Sequence, residues 1–429
     1  MRNNRLFGFL TILVIILTTS QRGLGVDTKT ARLIDQEIKK HKTEFIGIRR
    51  FIHMNPELGN REFETANLIA SKLLSFGLEV KTGIAKTGVT GLLRGAEQGL
   101  TVGLRADMDG LPIQELTDLS FKSLNPGIMH ACGHDIHVAI ALGTARVMSS
   151  LKENINGNIK FIFQPAEEEG GAKSMIQEGI LENPPIQAIF GLHVWPGNLG
   201  RVYFSAGSIM ASSDWFQIII EGKSSHGARP HEGIDAIALS SQAIVSLQSI
   251  VSRAVDPTDP VVVTIGKIEG GTKANIIAEK VTIEGTIRTL SETNRNKIPR
   301  QIEDVIRGVT QSFGASYVFR YKKGAPPLYN HPDLATILSP TLSRTLGEWN
   351  VQDIKPQMVA EDFSYFSQKI PGFYFFLGAK DPVKPSMAPL HSPYFSPDER
   401  SIALGIKIMC HLVFDCLEHL RHIEELPRQ

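Results

Sequence analysis

The chain has 429 residues, 42% of them apolar and 21% charged, so it can bury a large core and is long enough for more than one domain. Its 45 basic and 44 acidic residues leave a net charge of +1, which excludes a nucleic-acid-binding stripe or an acidic tail as the organising feature. Its 3 cysteines, Cys132, Cys410 and Cys416, are too few for a disulfide framework.

In chain order, Arg2 and Arg5 precede an apolar run over 6–17 and small residues around Gly23-Leu24-Gly25. That is the order of a secretory signal, expected at 1–25, with an uncleaved anchor as the alternative; either way the body is expected to be exported. Ala66, Ile69, Ala70, Leu73 and Leu74 repeat at helical spacing, and Gly77 stops that helix. Strands are predicted at 89–93 and 101–108, a helix at 137–148, and strands at 158–164 and 188–195. Strand and helix in turn predict an α/β fold, a three-layer α/β/α sandwich around a mostly parallel sheet.

The pattern changes near Ser212. A strand at 214–221, a helix at 234–251, strands at 261–268 and 280–290, a helix at 294–312 and a strand at 316–321 follow. That β-α-β-β-α-β order is the ferredoxin-like unit, read as an insertion over 212–323 between catalytic parts at 26–211 and 324–429. The α/β pattern then resumes with a helix at 334–346, a strand at 372–378 and a long amphipathic helix at 401–423, which holds Cys410 and Cys416 as buried apolar residues.

The chemistry concentrates in Met129-His130-Ala131-Cys132-Gly133-His134-Asp135-Ile136-His137, the ligand set of a transition-metal site. Phe163-Gln164-Pro165-Ala166-Glu167-Glu168-Glu169-Gly170-Gly171 adds carboxylates that can ligate or act as a base. Taken singly, each His or Glu is more often structural. Together, Cys132 and His134 flank Gly133 just before a predicted helix, Glu167 and Glu168 follow a predicted strand, and His193 lies near the end of another, so all can sit at the strand ends where open α/β sheets build their sites. His391 sits in a Pro-rich loop before the last helix. His130 and His137 remain spare imidazoles.

These residues resemble the amidohydrolase branch of the M20 metallopeptidases, the group of auxin-conjugate (indole-3-acetyl-amino acid) hydrolases, hippurate hydrolases and N-acyl-amino acid amidohydrolases. The resemblance spans about 44–417. It includes His53-Met54-Asn55-Pro56-Glu57-Leu58, Arg105-Ala106-Asp107-Met108-Asp109, Gly191-Leu192-His193-Val194, Ser225-His226-Gly227-Ala228-Arg229-Pro230 and Ala360-Glu361-Asp362-Phe363. It implies a pair of divalent metal ions held by Cys132, His134, Glu168, His193 and His391, with Glu167 as general base and Asp107 and Asp109 behind the ligands. It also implies that His226 stabilises the oxyanion, often in a partner subunit's site, and hence a homodimer. Asn275 and Arg288 are assigned to substrate binding. The family has two glutamates where this chain has three. Counting from Gln164 gives Glu167 and Glu168; counting back from Gly170 gives Glu168 and Glu169. The first is preferred, because a strand fixes register better than a glycine loop. Manganese is the implied metal, with zinc or cobalt as alternatives; a thiolate pulls towards zinc.

The expected reaction is metal-dependent hydrolysis of the amide of a small-molecule N-acyl amino acid, with no nucleic acid involved. A dipeptidase of the same fold and a catalytically silent binding protein are the alternatives.

Overall fold

The computed structural model describes residues 25–383 and 386–425. The leader expected at 1–25 therefore lies, apart from its last residue, outside the described residues.

The first part contains α1 (Thr28–Met54), α2 (Phe63–Ser75), β1 (Glu79–Ile84), β2 (Gly88–Arg94), β3 (Glu97–Asp107), α3 (His134–Ser150), β4 (Asn156–Gln164), α4 (Gly171–Gln177), β5 (Ala188–Asn198), β6 (Val202–Phe204) and β7 (Gly207–Met210). Next come β8 (Asp214–Glu221), β9 (Ser225–His226), α5 (Ala236–Ser249), β10 (Val261–Gly270), β11 (Ile276–Ile277), β12 (Lys280–Thr289), α6 (Glu292–Gln311) and β13 (Ser316–Lys323). The last part contains β14 (Leu328–Asn330), α7 (Pro332–Leu346), β15 (Val351–Asp353), α8 (Ser364–Ser367), β16 (Gly372–Lys380) and α9 (Arg400–Glu425).

Eight strands form one sheet in the order β1-β2-β4-β3-β5-β16-β6-β15. Its centre, β4-β3-β5-β16, is parallel throughout, and β1/β2, β2/β4 and β6/β16 are antiparallel. Successive strand side chains point to opposite faces, so each central strand feeds two cores. On β16, Phe373, Phe375 and Leu377 join the core beneath α1, α3 and α9, whereas Tyr374 and Phe376 join the one beneath α4 and α8. This is the three-layer arrangement that the alternation of elements predicts.

No element is predicted at 28–54, yet α1 is a long helix. Asp27 Oδ1 accepts from the N–H groups of Lys29 (2.8 Å) and Thr30 (3.0 Å), capping its start. Ile34, Ile38, Phe45, Ile48 and Ile52 form its buried stripe, each contributing about 1.5–3 kcal/mol by leaving water. The helix predicted from 137 instead begins at His134, which makes a ligand candidate the first residue of α3.

The second sheet has the order β10-β12-β8-β13 and is antiparallel, as a ferredoxin-like unit requires. Phe216, Ile218, Ile220, Ile283 and Ile287 on one face pack against Leu239, Ala243 and Leu247 of α5 and Ile298, Ile302 and Ile306 of α6. Trp215, Gln217, Thr286, Arg320 and Lys322 line the opposite face. At the base of this sheet, Arg295 donates from Nε and Nη2 to the two oxygens of Asp214 (2.9 and 2.8 Å), and Gly324 N–H donates to the same carboxylate (2.9 Å).

Candidate metal centre

Asp107 and Gln164 end the parallel neighbours β3 and β4 and lie opposite one another, so the loops beyond them meet above one sheet edge. The start of α3 descends onto that edge from the side. Gly133, at φ 98°, makes this approach possible: a Cβ there would stand 2.4 Å from Val194 Cγ2 of β5. Only glycine lets Cys132 and His134 face the strand that carries His193.

The donor atoms converge. Cys132 Sγ lies 3.3 Å from His193 Nε2, and His391 Nε2 lies 3.1 Å from Glu168 Oε1. Ligand atoms of Cys132, His134 and His193 all fall within 4.8 Å of one another, as do those of Cys132, Glu168 and His391, and those of His134, Glu167 and Glu168. Neighbouring groups fix which nitrogen each imidazole presents. His193 Nδ1–H donates to Val194 O (2.7 Å), and His134 Nδ1–H donates to Asp109 O (2.9 Å). Each ring thus keeps Nε2 for a ligand. His391, at φ 63°, is tied down by its N–H to Ala131 O (2.9 Å), beside Cys132.

His137 is excluded from the donor set. Its Nε2 accepts from Val194 N–H (2.9 Å) and its Nδ1–H donates to Asp107 Oδ1 (2.6 Å), so both nitrogens are engaged. His130 is buried, and burial pushes its pKa down to about 4, which keeps it a neutral packing residue.

The three consecutive glutamates diverge. Ala166, in the left-handed region at φ 51°, turns the chain out of β4 into a single 3₁₀ turn over Glu167–Glu169. Glu167 Oε1 accepts from Asp362 N–H (3.2 Å), Glu168 reaches His391, and Glu169 Oε2 accepts from Asn60 Nδ2 (3.0 Å), away from the donors. That geometry favours counting the pair from Gln164. Burial, together with Glu361, Asp362 and Glu168, raises Glu167 well above the ordinary carboxylate range. A carboxyl beside the donor cluster is placed to exchange a proton with a group bound there.

Arg105 organises the floor of the site. Fully buried, it donates to Gln164 Oε1 (2.8 Å), Asp107 Oδ2 (2.6 Å) and Asp362 Oδ1 (2.8 Å) and pairs with Glu361 Oε1 (2.9 Å). Tyr374 donates its hydroxyl to Glu361 (2.6 Å). Arg105, Gln164, Glu361 and Asp362 received no role from the sequence. Arg105, Asp107 and Asp109 do recur every second residue, the strand signature of a shared face. The Glu361–Asp362 pair comes from a distant segment, and no local pattern links it to β4. A second buried network braces the ligand helix from behind: His53 Nδ1 lies 2.9 Å from Asp135 Oδ2, which also accepts from Arg49 Nε (2.7 Å).

The residues fit a cation pair. The buried His134 Nε2 has no hydrogen-bond partner among the described residues and faces the other donors. Burial pushes the Cys132 thiol up to about 12, so its thiolate forms only with a cation beside it. Cys132, His134 and Glu168 each belong to two of these triads, so the donor groups are contiguous.

His226, Asn275 and Arg288 stand apart. His226 is exposed on β9, paired with Ile276, and its Nδ1 accepts from Ala228 N–H (3.0 Å). Asn275 O accepts from Gly227 N–H (2.8 Å), and Arg288 lies half-buried on β12. Among the described residues, none of the three makes a hydrogen bond or ion pair with the donor cluster.

Residues 103–415 match the model of Peptidase family M20/M25/M40. The chain is 43% identical over 305 residues to the N-acyl-L-amino acid amidohydrolase of Geobacillus stearothermophilus, covering 70% of this chain and 81% of that one. It is 40% identical over 378 residues to thermostable carboxypeptidase 2 of Saccharolobus solfataricus, covering 87% and 95%. The crystal structure of the Bacillus subtilis YXEP protein, described as a dinuclear metal binding peptidase from the M20 family, superposes with a TM-score of 0.79 at 33% identity, over 89% of this chain and 99% of that one. The chain belongs to Peptidase family M20/M25/M40 and is a metal-dependent amide hydrolase.

Proposed function

We propose that this protein hydrolyses the amide bond of N-acyl amino acids to a carboxylic acid and a free amino acid. The observation that carries the reading is Glu167, held by the Asp362 amide beside Glu168 and His134, where its carboxylate is placed to relay a proton. Cys132, His134, Glu168, His193 and His391 would hold two divalent cations, manganese first, with zinc or cobalt as alternatives. When bound, such ions supply Lewis-acid polarisation of the scissile carbonyl and acidify water.

Glu167 accepts a proton from the attacking water as its oxygen bonds to the acyl carbon. It then delivers that proton to the amide nitrogen as the C–N bond breaks. Asp107 and Asp109 act from behind: Asp109 fixes the tautomer of His134, and Asp107 is divided between Arg105 and His137. His226 donates a hydrogen bond to the developing oxyanion in the partner's site, and Asn275 and Arg288 contact substrate. The division at 212–323 makes the ferredoxin-like unit the dimerising part. Its edge strand β10 exposes Val262 (37%) and Ile268 (53%), and α5 exposes Ile237 (48%) and Val245 (73%), an apolar surface suited to a second copy of the chain. The leader at 1–25 assigns the enzyme to the exported proteins. No helix among the described residues is long and apolar enough to cross a membrane.

The similarity to a carboxypeptidase keeps peptide cleavage as the second reading, since both reactions release a free amino acid. The experiment is amino acid release from N-acetyl, N-benzoyl and N-indole-acetyl amino acids and from dipeptides, with the wild type beside Glu167→Gln. Acyl substrates turned over by the wild type, with kcat about 10²–10⁴-fold lower in the variant, support the proposal. Dipeptides turned over in their place would transfer it to the second reading.

A further inference from the structure

The loop that leads into α2 reaches the catalytic turn. Glu62, fully buried, accepts from Ala166 N–H through Oε1 (2.8 Å) and from the Thr87 hydroxyl through Oε2 (2.6 Å). Gly59 lies against the same residue: a Cβ there would stand 3.2 Å from both Ala166 Cα and Ala166 Cβ. Ala166 O accepts from Glu169 N–H (3.1 Å) and Gly171 N–H (2.8 Å), which closes the turn from the other side. Ala166 itself holds a left-handed conformation, which is unfavourable for an L-residue. Such a conformation persists only when its surroundings over-determine it.

We propose that Glu62 is a positioning residue, which by fixing the Ala166 peptide decides which of three successive glutamates faces the Asp362 amide and which faces His391. Without that acceptor, the Ala166 N–H would be buried and unsatisfied, and the turn would relax towards a right-handed conformation. Glu167 and Glu168 would then rotate off their partners together. No sequence motif joins residue 62 to residue 166; the contact exists only in the folded chain.

The proposal rests on the hydrolase reading for its metal and kinetic arms, and the exchange arm is independent of it. Three readouts test it on the full-length protein. Hydrogen exchange at the Ala166 amide in the metal-free protein reads the contact directly. Calorimetric titration of the metal-free protein with Mn²⁺, and separately with Zn²⁺, reads the ligand Glu168. The split of kcat against KM reads Glu167. In Glu62→Ala the amide is expected to exchange faster. Metal affinity is expected to fall about 10–100-fold at one of two binding events, and kcat to fall comparably with KM within about twofold.

Glu62→Gln should restore all three, because its amide oxygen can accept from Ala166 and its NH₂ can donate to Thr87. Asn60→Gly, which removes the donor to Glu169 and keeps the left-handed backbone at φ 64°, should match the wild type. If Glu62→Ala does not fold, Thr87→Val replaces it, with a loss of about fivefold in the same metal event, the worth of one hydrogen bond. A folded Glu62→Ala chain with unchanged exchange, metal titration and kcat would overturn the proposal. So would Glu62→Gln behaving like Glu62→Ala, Asn60→Gly reproducing the defect, or Thr87→Val with an unchanged titration. A wild type that binds no metal and cleaves no amide would sink the hydrolase reading, and the exchange arm would still decide the role of Glu62.

Discussion

Around Cys132, polar side chains take partners from other parts of the same chain: His137 from Asp107, His134 from Asp109, Glu167 from Asp362, and Asp362 from Arg105 and Gln164. Around His226 the situation is reversed. That imidazole is exposed, and its recorded hydrogen bond is to the amide two residues further on. The first region is preorganised by folding alone. Among the described residues the second offers an imidazole with no hydrogen bond to the donor cluster, and the proposed reaction, following the family resemblance, gives it a second subunit's substrate. In the proposed reaction a cross-braced cluster and a bare surface imidazole would serve by different routes, and each is vulnerable to a different perturbation.

The strongest way to break the first region is to take away what it is built to hold. Chelation should abolish amide hydrolysis and lower thermal stability, by about 2.7 kcal/mol if the metal had been present at 100 times its Kd. Cys132→Ser should reproduce the activity loss and leave one metal per chain or none by elemental analysis. Full activity after exhaustive chelation would contradict the whole scheme.

The second region should break more gently and across chains. His226→Ala is expected to lower kcat about 10²–10³-fold with metal content unchanged. Co-expressed with Glu167→Gln, it should recover about a quarter of the wild-type activity, since random pairing restores one site in each mixed dimer. Two inactive variants that stay inactive together would place His226 in its own chain's site or outside catalysis. The smallest effect is expected at Glu169: Glu169→Gln should stay within about twofold in kcat/KM, as an exposed side chain outside the donor cluster. A large loss there would reopen the choice between the two glutamate pairs.

Much of the fold was legible because its signals are local. The switch from strand-helix alternation to β-α-β-β-α-β order is a matter of short-range periodicity, and the Cys132/His134 cluster is dense within a few residues. The start of α3 was misread by one turn because Gly133 and the polar residues His134 and Asp135 look like loop, whereas the need to seat ligands on β5 draws the helix forward over them. Helix α1 escaped notice because its apolar stripe is diluted by charged residues on its other faces. The buried floor of Arg105, Gln164, Glu361 and Asp362 could not be assembled from the sequence, since its members come from separate strands and loops and meet only through tertiary packing. The divergence of Glu167, Glu168 and Glu169 was equally invisible, because it depends on one peptide orientation at Ala166.

The donors of the centre are also spread in time. Cys132 and His134 leave the ribosome early, whereas His391, whose backbone is tied to Ala131, follows only after the whole ferredoxin-like unit has been synthesised. A nascent or prematurely terminated chain therefore carries a cysteine without the loop that closes over it. On the proposed ligand set, complete metal loading would require a chain finished through the last sheet strand and the loop beyond it.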